Sequence, residues 1–202
     1  MNGKLIVFEG IDCSGKTTQA KLLKQSIKNC GYACELLSEK HGNDFIEIQS
    51  SILHINGLSS ITKALIYNAI RIEHTREILV PALAKNDFVI MDRRELSTYV
   101  YQGILGGVNS TTLFQLNNIN PNYVEVNCVF LIDVSHKIAN KRILDRDKVA
   151  GKWNSGTASY YNVFSDYPNL VKIDGEKDEQ AVHKEIVNSF NDFFEGKINE
   201  SF

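Results

Sequence analysis

The 202-residue chain carries little net charge, few cysteines and no long apolar run, and each shortage closes off a class of function. Lys and Arg number 22 against 24 Asp and Glu, for a net charge of -2. No basic stripe of the kind that tracks nucleic-acid phosphates is present, and no block of like charge marks an interaction tail. No apolar stretch approaches the roughly 20 residues needed to span a bilayer, so no membrane association is expected. The first apolar run starts at Leu5, which leaves no room for a signal peptide and points to a cytoplasmic protein. The four cysteines stand at 13, 30, 34 and 128. Cys30 and Cys34 are four residues apart, but no second pair or nearby histidine cluster completes a zinc site, and reduced thiols are expected. There is also no linker and no internal repeat. One domain spanning residues 1–202 is expected, long enough to bury roughly 70% of its unfolded surface.

What is present is concentrated near the start. Gly10-Ile11-Asp12-Cys13-Ser14-Gly15-Lys16-Thr17 is a complete G-x-x-x-x-G-K-[ST] phosphate-binding loop. Gly10 and Gly15 allow the tight turn that aims backbone N–H groups at phosphate oxygens. Lys16 supplies a charge for the β and γ phosphates, and Thr17 offers a hydroxyl to Mg2+. The apolar run Leu5-Ile6-Val7-Phe8 precedes the loop, and a helical pattern follows from Thr18 to a stop at Gly31. Further short strands are expected at 33–37, 88–91, 128–132 and 171–173, those at 88–91 and 128–132 being apolar throughout, as strands covered on both faces are. Helical patterns lie between them, at 44–54, at 59–84 with a serine cap and a disturbance at Pro81, at 135–149 and at 178–194. The expected fold is α/β, a P-loop NTPase-type three-layer sandwich. Its central five-stranded parallel sheet is flanked by helices, and ligands collect at the carboxyl ends of the strands.

A phosphate loop alone does not choose between motor, switch, ATPase and kinase. The segment Met91-Asp92-Arg93-Arg94-Glu95-Leu96-Ser97-Thr98-Tyr99-Val100-Tyr101-Gln102 narrows the choice. Asp92, at the end of the run 88–91, is placed to reach Mg2+ beside the loop. Arg93 offers a planar fork for phosphate oxygens at the same mouth.

These motifs, in this order, resemble the thymidylate kinases, which phosphorylate dTMP with ATP. The resemblance rests on Phe8-Glu9-Gly10-Ile11-Asp12, on Asp92, Arg93, Ser97, Tyr101 and Gln102, and on Tyr67 four residues before Arg71. It extends over most of residues 3 to 194. It implies an ATP site formed by Gly10, Asp12, Cys13, Ser14, Gly15, Lys16, Thr17 and Thr18, with Asp174 in a loop bracketing adenine. It also implies an acceptor site. Tyr67 would stack on the base and Arg71 would donate to a pyrimidine carbonyl, while Thr98 and Gln102 would hold the thymine edge. Tyr101 would lie against the sugar, and Arg93 would hold the phosphate with Asp12 beside it. Spacing alone leaves Tyr67 and Arg71 open to a plainer reading, a packed tyrosine with an arginine running past it.

Members of that family place charge-balancing arginines either in the phosphate loop or in a lid. This loop has Cys13 and Ser14, so Arg142 and Arg146 become the candidates, in a lid segment around 141–157. The chain departs from the family after its second strand. Where many members carry an arginine-containing loop, it reads Leu37-Ser38-Glu39-Lys40-His41-Gly42, and Lys40 is the candidate replacement. The resemblance further implies a homodimer formed through helices. The expected activity is transfer of the ATP γ-phosphoryl group to dTMP. Enzyme rivals are a deoxynucleoside kinase, with Glu9 or Asp12 as base, or a kinase for another pyrimidine monophosphate. A nucleotide-gated switch is the rival of a different class. It would leave Tyr67, Arg71 and Arg93 without a shared purpose.

Overall fold

The computed structural model describes residues 3–39, 55–144 and 167–195, together with positions 45, 48, 51, 52, 164 and 198. Lys40, Arg146 and most of the expected lid lie outside the described residues, as does most of the helical pattern at 44–54.

Five strands form one parallel sheet in the order β2-β3-β1-β4-β5. They are β1 (Lys4–Glu9), β2 (Cys34–Ser38), β3 (Phe88–Asp92), β4 (Cys128–Asp133) and β5 (Leu170–Asp174). Four coincide with an expected strand extended by one or two residues, and β2 is the expected 33–37 shifted on by one. The pleat explains why the apolar run of β1 does not alternate. Ile6 and Phe8 enter one core with Leu23, Ile27, Ile186 and Phe190, whereas Leu5 and Val7 enter another with Leu79, Leu83 and Leu96. Both faces of the strand are therefore dry. Helices α1 (Lys16–Asn29) and α7 (Glu179–Phe194) cover the first face. On the second lie α2 (Ser60–His74), α3 (Val80–Lys85) and α4 (Glu95–Thr98). Two further helices are α5 (Ser110–Asn118) and α6 (His136–Leu144).

Three local differences from expectation have physical causes. Helix α1 begins at Lys16, two residues before Thr18, because Gly15 turns the chain at φ 99 and brings Lys16 and Thr17 into the first turn. The long pattern opens as expected, with Ser59 Oγ accepting the Thr62 N–H at 3.2 Å. Its disturbance falls earlier than Pro81, in a π-helical turn at Thr75–Leu79. Pro81 cannot donate a helical hydrogen bond and its ring crowds the carbonyl one turn back. The widened turn, closed by Val80 N–H to the Thr75 carbonyl, takes up that misfit. The third difference is α5, which no apolar pattern announced. Asn109 caps it, and Leu113 is its buried residue.

The register brings the strand ends to one edge: Ser38 faces Asp92, Phe8 faces Asp92 and Asp133 faces Asp174. β1 sits between β3 and β4. The chain thus departs to opposite sides of β1, which opens a crevice beyond its carboxyl end.

Candidate active site

The loop leaving β1 closes around that crevice. Gly10 takes φ 145, and a Cβ there would lie 2.6 Å from the Ile132 carbonyl oxygen, so only glycine fits. Lys16 is buried, with Nζ 3.6 Å from the Asp12 carboxylate and 3.4 Å from the Ile11 carbonyl. Burial pulls its pKa from 10.5 down to about 8, and the nearby Arg93 charge adds to the fall. Thr17 Oγ1 donates to Asp92 Oδ2 at 2.5 Å. This pairing of a hydroxyl with a carboxylate beside the loop is a donor set that suits Mg2+. That ion takes few protein oxygens and shares the rest of its shell with water and phosphate.

Arg93 forms the corner between β3 and α4. Its backbone adopts φ 74 and its N–H donates to the Phe8 carbonyl at 2.9 Å. Its guanidinium pairs with Asp12, donates to Ser97 Oγ at 2.9 Å and lies 5.9 Å from the Tyr101 ring centre. Beneath it, Glu9 is fully buried. Its carboxylate accepts the Arg94 N–H at 2.8 Å and the Ser97 hydroxyl at 2.7 Å. Burial raises Glu9 to about 7, although Arg93 opposes that rise.

Two cavities flank the loop. One, of about 380 Å³, is lined by Asp12, Tyr67, Arg71, Asp92, Arg93, Thr98, Tyr101 and Gln102, all anticipated, and by Ser38, Glu39, Lys63, Arg94 and Ser97. Arg71 is held rigidly in its wall. Nε donates to Glu39 at 2.8 Å, Nη1 to Asn117 at 2.9 Å and Nη2 to Thr98 at 2.9 Å. The other cavity, of about 150 Å³, is lined by Cys13, Ser14, Gly15, Thr18, Gln19, Arg142, Gly175, Lys177, Glu179 and Val182. Arg142 spans its rim, donating to the Ser14 carbonyl at 3.0 Å and the Gly175 carbonyl at 2.8 Å. Asp174 does not line it; its carboxylate accepts the Glu176 N–H at 3.0 Å and shapes the turn behind. Sequence reasoning missed Glu39, Lys63 and Asn117. Lys63 had a usable signal, since 63, 67 and 71 share one helix face.

The family model described as thymidylate kinase matches residues 8–186, nearly the whole of this two-cavity unit. The chain belongs to the thymidylate kinase family. A thymidylate kinase of Caldanaerobacter subterraneus is 33% identical over 97% of this chain and 99% of its own length. One from Caldicellulosiruptor saccharolyticus is 32% identical over 96% and 94%. Among solved structures, a thymidylate kinase from Ehrlichia chaffeensis superposes with a TM-score of 0.73 at 28% identity, covering 94% of this chain and 99% of that one. This thymidylate kinase family member is thus an ATP-dependent nucleoside monophosphate kinase on a P-loop α/β fold.

Proposed function

We propose that this thymidylate kinase family member transfers the γ-phosphoryl group of ATP to dTMP, giving ADP and dTDP on the way to dTTP. The observation that carries the reading is the partition at the phosphate loop. Asp12 lines one cavity, and its neighbour Cys13 lines the other. A donor in the smaller cavity and an acceptor in the larger would meet over Lys16.

An acceptor phosphate oxygen is already nucleophilic, so positioning and charge compensation do most of the catalysis. Lys16 follows the transferring group. Arg93 grips the acceptor phosphate, oriented by Asp12. Thr17 and Asp92 are the residues to hold Mg2+, which when bound neutralises phosphate charge. Tyr67 stacks on the base, and Arg71 keeps two N–H groups beyond its three bonds to present to a carbonyl. Thr98 and Gln102 complete the base edge, and Tyr101 covers the sugar. Gly10, Ser14, Gly15 and Thr18 shape the donor side. Arg142, already bridging Ser14 and Gly175, joins Arg146 in closing it, within a lid at 141–157 of a single domain. Lys40 compensates for serine at position 38.

The deoxynucleoside kinase reading requires a carboxylate free to take a hydroxyl proton. Glu9 is sealed from solvent with both oxygens accepting, and Asp12 is paired to Arg93 and Lys16. Both arrangements favour a phosphate acceptor.

The proposal extends to a cytoplasmic homodimer. Among the described residues no helix is long and apolar enough to cross a membrane. Ile61 and Leu65 lie four residues apart on α2, 38% and 49% exposed, and offer an apolar face to a second copy.

The test is ADP release measured with each common nucleoside monophosphate and with thymidine. dTMP should give the fastest turnover and thymidine none. Turnover with dCMP, dGMP or UMP equal to that with dTMP would sink the substrate assignment.

A further inference from the structure

Phosphoryl transfer to a phosphate needs no base, yet the chain buries a carboxyl completely at the end of β1. Burying a carboxyl is unfavourable unless its oxygens are used, and both oxygens of Glu9 are. Oε1 accepts the Arg94 N–H and Oε2 accepts the Ser97 hydroxyl. A serine hydroxyl has one proton and two lone pairs. With its one O–H donated in the hydrogen bond to Glu9, Ser97 faces Arg93 as an acceptor, and Arg93 Nη1 donates to it at 2.9 Å. The second contact acts on the same corner through the backbone. Arg93 sits at φ 74, a conformation that side-chain-bearing residues seldom adopt. The amides on either side of that strained residue are tied down, Arg93 N to the Phe8 carbonyl and Arg94 N to Glu9. Backbone and side chain of Arg93 are therefore both set by one buried group that cannot itself reach a ligand.

We propose that Glu9 is a positioning residue for the acceptor phosphate: through the Ser97 hydroxyl and the Arg94 amide it aims the Arg93 guanidinium into the larger cavity. The proposal rests on the reading that Arg93 grips the phosphate of the acceptor. A carboxyl that merely filled the core would affect folding and both nucleotide sites alike.

Glu9→Gln keeps the volume and turns one acceptor into a donor, which reverses the Ser97 hydroxyl. Ser97→Ala removes the link from the other side without touching the buried carboxyl, and it serves if Glu9→Gln fails to fold. Binding of dTMP, thymidine and ATP to each variant would be measured by calorimetry. Each variant should weaken dTMP on the order of tenfold, the scale of a hydrogen bond to a charged group. Thymidine, which has no phosphate, and ATP should bind as they do to wild type. The double variant should bind dTMP no more weakly than the worse single, because both changes cut one link. Ser97→Thr, which restores a hydroxyl, should retain dTMP affinity. Equal losses for dTMP and thymidine, or multiplicative losses in the double variant, would overturn the proposal. Wild-type protein that bound dTMP no better than thymidine would sink the phosphate role of Arg93 itself, and the proposal with it.

Discussion

Lys16 loses its proton far more readily than an exposed lysine does. Burial and the Arg93 charge lower its pKa to about 8, so above that pH ligand-free protein must take up a proton to bind phosphate as a cation. ATP affinity should fall as pH rises through about 8, approaching tenfold per unit above it. Fluorescence titration of ATP binding between pH 7 and 9.5 checks this, with Lys16→Met as the flat control. Glu9 shows the same burial acting on stability. Its carboxyl rises from 4.5 in the unfolded chain to about 7 in the fold, so the folded state holds the proton more tightly. The stability linked to that proton is fully present below about 4.5 and is lost as pH climbs to about 7, on the order of 3 kcal/mol. Glu9→Gln has no such titration. Its melting temperature should gain on wild type between pH 5 and 8, and a gap independent of pH would count against the assignment. Residues such as Lys16 were legible because the motif confines them to eight consecutive positions. Glu39 and Asn117 were not, because they reach Arg71 across 32 and 46 residues of chain and no local spacing records that.

At the scale of elements, legibility followed burial. Strands β1, β3 and β4 were readable because both faces are dry, which leaves an unbroken apolar run in each, whereas β2 and β5 are partly exposed and carry Glu35 and Lys172 among their apolar residues. Helix α7 was readable for a related reason: Val182, Ile186, Val187 and Phe190 recur at helical spacing. Helix α5 buries Leu113 and little else, so its sequence has no stripe to show. The π-helical turns at Thr75–Leu79 and Tyr99–Ile104 were invisible for another reason, since one extra residue in a turn leaves composition unchanged. Capping also belongs at this scale. Asp178 Oδ1 accepts the Ala181 N–H at 2.9 Å and opens α7. Asp178→Ala should cost about 1 kcal/mol of unfolding free energy in urea titrations. Its dTMP affinity should be unchanged, because α7 packs on the sheet face away from the larger cavity.

For the molecule as a whole, the parallel five-stranded sheet and the ligand crevice at its carboxyl ends followed from the alternation of strands and helices, whereas the strand order did not, and the proposed association between copies rests on a short apolar face on α2. Leu65→Glu places a charge on that face. Light scattering after size exclusion should report a monomer for the variant and a dimer for wild type, and a monomeric wild type would overturn the assembly. The partition between the two cavities has a consequence for ligand design. Asp12 lines one cavity and Cys13 the other, so the two are lined by adjacent residues of the phosphate loop. On the proposed assignment of donor and acceptor, one molecule with a nucleoside at each end and a run of phosphates between them would fill both. Its second half would bind at the effective concentration set by the tether rather than by the solution, so affinity would climb steeply with the right number of phosphates and fall away on either side. The chain has, in that sense, a built-in ruler for two-headed inhibitors.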